Sequence, residues 1–312
     1  MADSRAAGAS GPPGPVGELR RFLLEAQPLR GHWVRLGAAW QELRSRRAYP
    51  PVVEALLGEA ATAAVLLAAT LKFEGTLTMQ FAGNGRVRLL VAQCTDDFRL
   101  RAVANHNLGE GEAVEFVELV GAGRLVVTVQ SDKSAAHYQG IVPLEGTSFG
   151  ECLERYFESS EQLPTRLMLA ADSARAGGML LQKLPAAHGG GEGADALLQS
   201  AWEDLNTGLN TLSPELLLDA NAEEVVRHVF GVHDCRLFGG TPVRFGCRCS
   251  AGRVANLLRA LGRKEARAAL AEQGVLSVTC EFCGRDYRYD AVDVEQLFAT
   301  DGAVQQGSGS FN

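Results

Sequence analysis

Four of the chain's seven cysteines stand in two tight pairs, Cys247-Arg248-Cys249 and Cys280-Glu281-Phe282-Cys283, with thirty residues between the pairs. Two thiols two or three residues apart can turn toward one point. Two such pairs supply the four thiolates of a tetrahedral zinc site. The gap exceeds the short loop of a single zinc knuckle. The spacing therefore predicts a small domain folded around one Zn2+, with Cys247, Cys249, Cys280 and Cys283 as ligands.

The rest of the composition limits what such a domain can serve. A chain of 312 residues that is 46% hydrophobic has room for a sizeable core and at least two domains. Its net charge of -7 argues against binding nucleic acid through phosphate contacts. The segment from 241 to 300 carries nine Lys or Arg against seven Asp or Glu. Four thiolates on a divalent ion bring that part close to neutral, without a basic face. No apolar run follows a basic start, so no signal peptide is expected. The one long apolar stretch, Val52 to Leu71, is interrupted by Glu54 and Glu59 and reads as a buried helix, not a membrane span. The cytoplasm follows as the expected compartment, where paired cysteines serve as metal ligands or redox groups more than as structural disulfides.

Residues 1–16, rich in Ala, Gly and Pro, are expected to be disordered. Residues 17–187 read as the main domain. Leu19, Phe22 and Leu23 suggest a short amphipathic segment, His32 to Leu36 a strand and Ala38 to Arg46 a helix. In Val52 to Leu71 the apolar positions recur at three- and four-residue steps. Leu77, Met79 and Phe81, then the turn Gly83-Asn84-Gly85, then Val87, Leu89 and Val91 spell a hairpin. Strands are expected at Arg99–Ala104, Arg124–Gln130, Tyr138–Leu144, Arg166–Ala170 and Gly178–Leu184, and a helix at Glu151–Glu158. Runs of strands with occasional helices predict an α+β fold.

Residues 188–238 read as a flexible joint, Gly-rich at 189–193, followed by a linker of three short helices. In the first, Leu198, Trp202, Leu205, Leu209 and Leu212 fall at heptad steps. That stripe is either ordinary core packing or a binding surface covered in one state and bared in another. Ser213-Pro214 opens the second helix, and Asn221 with Glu224 forms a capping box for the third. Residues 239–299 read as the cysteine domain, with one helix over Arg253–Ala271 and strands at Ser277–Thr279 and Tyr287–Tyr289. Residues 300–312 form a polar tail.

Four thiolates around zinc can be structural, holding together a domain too small to fold alone. They can equally be a sensor, since oxidants attack the thiolate form and each pair carries its own resolving thiol. Spacing leaves both open. Two other function classes stay in view: a zinc-ribbon interaction module for nucleic acid or a protein complex, and a thiol–disulfide oxidoreductase. The second fits poorly, because Gly284-Arg285-Asp286-Tyr287 reads as a turn into a strand where a thioredoxin motif opens a helix. No catalytic group is expected. His32, His106, His137, His188, His228 and His233 are scattered, and Asp96-Asp97 reads as a solvated turn. Cys94, Cys152 and Cys235 are single and read as buried or inert thiols, with Cys235 set apart by its place beside the linker.

The chain as a whole resembles the 33 kDa heat-shock protein family of redox-regulated chaperones. The resemblance covers roughly residues 18–298. It is carried by YQGIVPLEG at 138–146, ECLERYFESSEQLPTRLML at 151–169, AGGMLLQ at 176–182, FGCRCS at 245–250 and CEFCGRDYRYDAVDVE at 280–295. The Pro-rich start, the Gly-rich joint and the polar tail depart from the family's pattern. The resemblance implies a reduced, inactive form in which the four cysteines hold one zinc ion. Oxidation would form Cys247–Cys249 and Cys280–Cys283 disulfides, release zinc and loosen the switch domain and linker. The surface bared would hold unfolding or oxidatively damaged client proteins without ATP, for later transfer to ATP-dependent foldases. The active form would tend to be a homodimer, with no role for nucleic acid or membrane. The stripe from Leu198 to Leu212 then becomes a candidate client surface.

Overall fold

The computed structural model describes residues 16–304, apart from 26, 110, 134–136, 185–191 and 232. The Pro-rich start, residues 189–191 of the joint and the end of the polar tail fall outside the described residues. The chain divides into two compact units, one running to Gly246 and one beginning at Cys247. The architecture is α+β, as the runs of strands predict.

In the first unit β1 (Gly17–Leu24) and β2 (Leu29–Arg35) form an antiparallel hairpin, followed by α1 (Ala38–Arg44) and α2 (Pro51–Thr70). A meander of β3 (Gly75–Gly83), β4 (Val87–Thr95) and β5 (Arg99–His106) comes next, turning from β3 to β4 at the predicted Gly83-Asn84-Gly85. Then come α3 (Phe116–Val120), β6 (Gly123–Ser131), β7 (His137–Pro143), α4 (Phe149–Ser159), β8 (Thr165–Ala171) and β9 (Ala176–Lys183). The unit closes with α5 (Glu192–Asn210), α6 (Pro214–Asp219), α7 (Ala222–Phe230), β10 (Cys235–Leu237) and β11 (Thr241–Phe245). The strands form one sheet in the order β7-β6-β3-β4-β5-β11-β1-β2-β9-β8, with β10 also on β1.

Strand alternation sorts side chains to two faces. On one face Leu19, Val34, Leu77, Leu90, Leu100 and Leu180 pack around α2, in the largest apolar cluster. That helix is buried along most of its length, which is why it is long and apolar enough to pass for a membrane span while serving as a core element. On the opposite face Phe22, Leu24, Leu29, Trp33, Met179 and Leu181 meet the apolar sides of α5, α6 and α7.

The second unit is smaller. It holds α8 (Ala251–Leu261), α9 (Arg263–Gln273), the antiparallel pair β12 (Leu276–Thr279) and β13 (Asp286–Tyr289), and α10 (Ala291–Val304). Among the described residues its core is a cluster of six buried ones: Val254, Leu258, Ala266, Leu276, Val294 and Phe298.

Four local expectations need correction. Leu19 to Leu23 lie in a full strand, because their alternation serves a sheet buried on both faces. The single helix expected over Arg253–Ala271 is two, broken at Gly262, whose φ of 96° lies outside the helical region. The first linker helix is not short: α5 has 19 residues. The strands β10 and β11 were missed. Each is too brief to show alternation; β10 is held by pairing with β1, and β11 by pairing with both β1 and β5.

Candidate metal centre

Cys247 and Cys249 lie in the loop between β11 and α8. The loop is fixed on its far side by the helix cap, where Ser250 accepts a hydrogen bond from the Arg253 N–H. The Arg253 guanidinium also donates to the Arg248 carbonyl at 2.9 Å. Cys280 and Cys283 flank the turn joining β12 to β13. There the Cys280 N–H donates to Arg285 O at 2.9 Å and the Gly284 N–H to Cys280 O at 2.8 Å. Gly284 takes a φ of 67°, which closes the turn and aims both thiols to one side. Tyr289 ties the two segments together by donating its hydroxyl to Ala251 O at 3.2 Å.

The four sulfurs lie within 4.8 Å of one another. Cys247 Sγ stands 3.6 Å from Cys280 Sγ, and Cys249 Sγ 3.4 Å from Cys283 Sγ. A tetrahedral ion with metal–sulfur bonds of about 2.3 Å needs sulfur–sulfur edges of about 3.8 Å. The donor set, its number and its spacing thus fit Zn2+. Among the described residues this is the one group of His, Cys, Asp or Glu side chains arranged to hold a metal. No disulfide joins any of the seven cysteines.

The electrostatics of the site are uneven. Burial pushes the Cys247 thiol up, but the Cys249 backbone N–H and the neighbouring thiols outweigh it and hold Cys247 at about 7. Burial pushes Cys280 up, and pushes Cys283 up to about 12 with help from the three surrounding sulfurs. Cys280 and Cys283 are therefore held from the thiolate form at neutral pH, and a bound cation would favour it. All four are half-buried, so small oxidants can reach them.

One site residue was missed from the sequence. Tyr287, on β13, donates its hydroxyl to Cys249 Sγ at 3.1 Å. Its spacing from Cys283 carries no motif; only the pairing of β12 with β13 brings it to the sulfurs. Of the single cysteines, Cys94 and Cys152 are buried as expected, while Cys235 is only half-buried. Burial raises Cys94 above its ordinary value and pushes Cys152 and Cys235 to about 11, away from the reactive thiolate.

The predicted stripe is covered. Leu198, Leu205, Leu209 and Leu212 are buried in the cluster on the sheet's second face, with half-buried Trp202 packed against it. Polar fastenings beside them carry no sequence signal. Arg20 pairs with Glu223, Arg175 pairs with Asp219, and Arg35 donates to Ala220 O. Arg166 reaches Asn206 and Asn210 on α5 at 3.0 and 3.2 Å.

A mixed sheet covered on one face by α5, α6 and α7 is followed in the chain by a unit whose four clustered cysteines could hold a metal. Comparison with known proteins identifies the class. The sequence matches the family described as Hsp33 protein over residues 17–290. It is 40% identical over 284 residues to the 33 kDa chaperonin of Methylobacillus flagellatus, covering 91% of this chain and 94% of the relative. It is 41% identical over 280 residues to the 33 kDa chaperonin of Nitrosococcus oceani, covering 90% and 93%. A crystal structure of the 33 kDa chaperonin of Thermotoga maritima superposes with a TM-score of 0.79 at 24% identity, covering 92% of this chain and 99% of the other. The chain belongs to the Hsp33 family of chaperones, whose members carry a chaperone's name and not an enzyme's.

Proposed function

We propose that this chain is a redox-regulated holdase of the cytoplasm. Residues 17–187 form its chaperone domain, 188–246 its linker, whose last strands β10 and β11 join the sheet of the first unit, and 247–299 its zinc switch, which begins later than the 239 expected from the sequence. The observation that carries the reading is the four-cysteine cluster itself, half-buried in a unit whose core, among the described residues, is six buried side chains. When bound, zinc supplies a tetrahedral cross-link among four thiolates, with an apparent binding energy on the order of 10 to 16 kcal/mol. That exceeds what so small a core contributes on its own.

A hydroperoxide removes the cross-link by ordinary thiolate chemistry. One thiolate of a pair attacks the peroxide, breaks its O–O bond and becomes a sulfenic acid, with hydroxide (or alkoxide) leaving. The second thiolate attacks that sulfur and displaces a second hydroxide, forming the disulfide. Each disulfide takes two electrons from two thiols and consumes one peroxide. The pairs Cys247–Cys249 and Cys280–Cys283 are already within reach of each other. With both oxidised, no ligand set for zinc is left and the second unit loses its fold.

The loss then spreads back along the chain from Cys247 through β11 and β10 into α7, α6 and α5. The stripe Leu198, Trp202, Leu205, Leu209 and Leu212 is bared, together with the sheet face beneath it, and holds apolar segments of unfolding or oxidatively damaged clients without ATP. The oxidised form pairs as a homodimer. Reduction hands clients to ATP-dependent foldases. The test is metal content by mass spectrometry of the reduced chain and of a Cys280→Ser, Cys283→Ser variant. One zinc per chain, lost in the variant together with the folded second unit, supports the reading. A zinc-free reduced chain with an intact second unit sinks it.

A further inference from the structure

Three sequence motifs have no part in the thiolate switch: 138–146, 151–169 and 176–182. They converge on one cavity in the first unit. It has a volume of about 320 Å³ and lies at the end of α2, against β3, β6 and α4. Its walls are apolar, with Leu67, Leu77, Val127, Val129, Leu153 and Phe157 among them.

Its polar groups are few and held in place. At one side the hydroxyls of Tyr138 and Tyr156 are 2.8 Å apart, and both donate to Glu161 Oε1. This arrangement depends on Gly140, because a Cβ there would stand 2.1 Å from the Tyr156 hydroxyl. Across the cavity, buried Gln182 presents its Oε1 to the Arg30 Nε at 3.2 Å and Nη2 at 2.7 Å, while its own amide donates to Thr165 at 3.1 Å. Lys72 also lines the cavity, and Leu71 and Tyr138 are exposed beside it.

The charges do not balance. Glu161 is occupied by two phenolic donors, while Arg30 and Lys72 have no carboxylate partner among the described residues. Burial, with Arg21 nearby, lowers the Arg30 pKa, as expected of a cation short of an anion. An apolar cavity with a few fixed polar groups and a surplus of positive charge suits an amphipathic anion.

We propose that this cavity binds an aliphatic carboxylate, its chain against the apolar walls and its head between Arg30 and Lys72. At about 30 Å³ per water-sized group, the volume suits a chain of roughly eight to ten carbons. The site is independent of the thiolate centre and of the client surface.

The test is calorimetric titration of the reduced, zinc-loaded full chain with sodium decanoate, decylamine and decanol. Saturable binding of one decanoate per chain is expected, at least about tenfold tighter than decylamine. Val129→Trp, which fills the cavity, should abolish it. Arg30→Met should weaken decanoate about tenfold and leave decanol unchanged. Lys72→Gln, at an exposed position, should weaken decanoate about threefold with no risk to folding. The proposal is overturned if decanoate fails to saturate, if decylamine binds as tightly, or if Lys72→Gln and Arg30→Met both leave decanoate affinity unchanged.

Discussion

Replacing Phe230 with Ala should release the linker helices without any oxidant. Phe230 ends α7, is fully buried, and stacks on Phe22 of β1 with ring centroids 5.1 Å apart. Truncating a buried Phe costs about 3 to 5 kcal/mol, and the loss of a ring pair favours the upper half of that range. The polar fastenings beside it cannot compensate. The pairs Arg20–Glu223 and Arg175–Asp219 are partly or largely exposed, and each is worth about 1 kcal/mol or less. At about 1.4 kcal/mol per tenfold, opening of α5–α7 becomes about seven-hundred- to four-thousandfold more frequent. Hydrogen exchange on the reduced, zinc-loaded variant reads this directly. Amides of α5, α6 and α7 should lose protection by that factor, while those of α2 and β3 change far less. The same sample should suppress aggregation of a denatured client before any peroxide is added. Unchanged protection in α5–α7, or an equal loss in α2, would refute the view that these helices are a separately detachable cover.

Other perturbations probe the remaining parts. Leu205→Ser with Leu209→Ser should weaken client holding by the oxidised chain, since both leucines lie on the surface the account bares; light scattering of an aggregating client checks it. Tyr287→Phe removes one hydrogen bond to Cys249 Sγ and keeps the ring, so that sulfur becomes more nucleophilic. Zinc release by peroxide should quicken about threefold to tenfold in a metal-dye assay. His32 is buried, and burial with Arg30 and Arg21 lowers its pKa to about 4. Between pH 6.5 and pH 4 the unfolded chain then binds a proton the folded one does not, so stability falls as pH falls, by about 3 kcal/mol in all. His32→Leu should flatten that slope in urea titrations.

What the sequence revealed follows the range of each interaction. The four clustered cysteines were legible because their thiols are close along the chain, and α2 because its periodicity runs for 20 residues. The stripe in α5 was legible as a pattern, but its partner was not. Phe22, Trp33 and Met179 come from strands far away in the chain, and only their pairing makes a floor for the helix. The same reason hides Tyr287, which reaches Cys249 across a turn and a strand, and the cavity where Tyr138, Glu161 and Gln182 meet. Gly262 was visible as a glycine, yet nothing local shows that its positive φ divides α8 from α9.

The most direct test follows zinc and client in one cuvette. The reduced, zinc-loaded chain is treated with hydrogen peroxide at mild heat, and released zinc is read with a metal-sensitive dye while a denatured client's light scattering is recorded. The account predicts one zinc released per chain and a parallel rise in aggregation suppression, both reversed when thiols and zinc are restored. Full zinc release with no gain in suppression would contradict it.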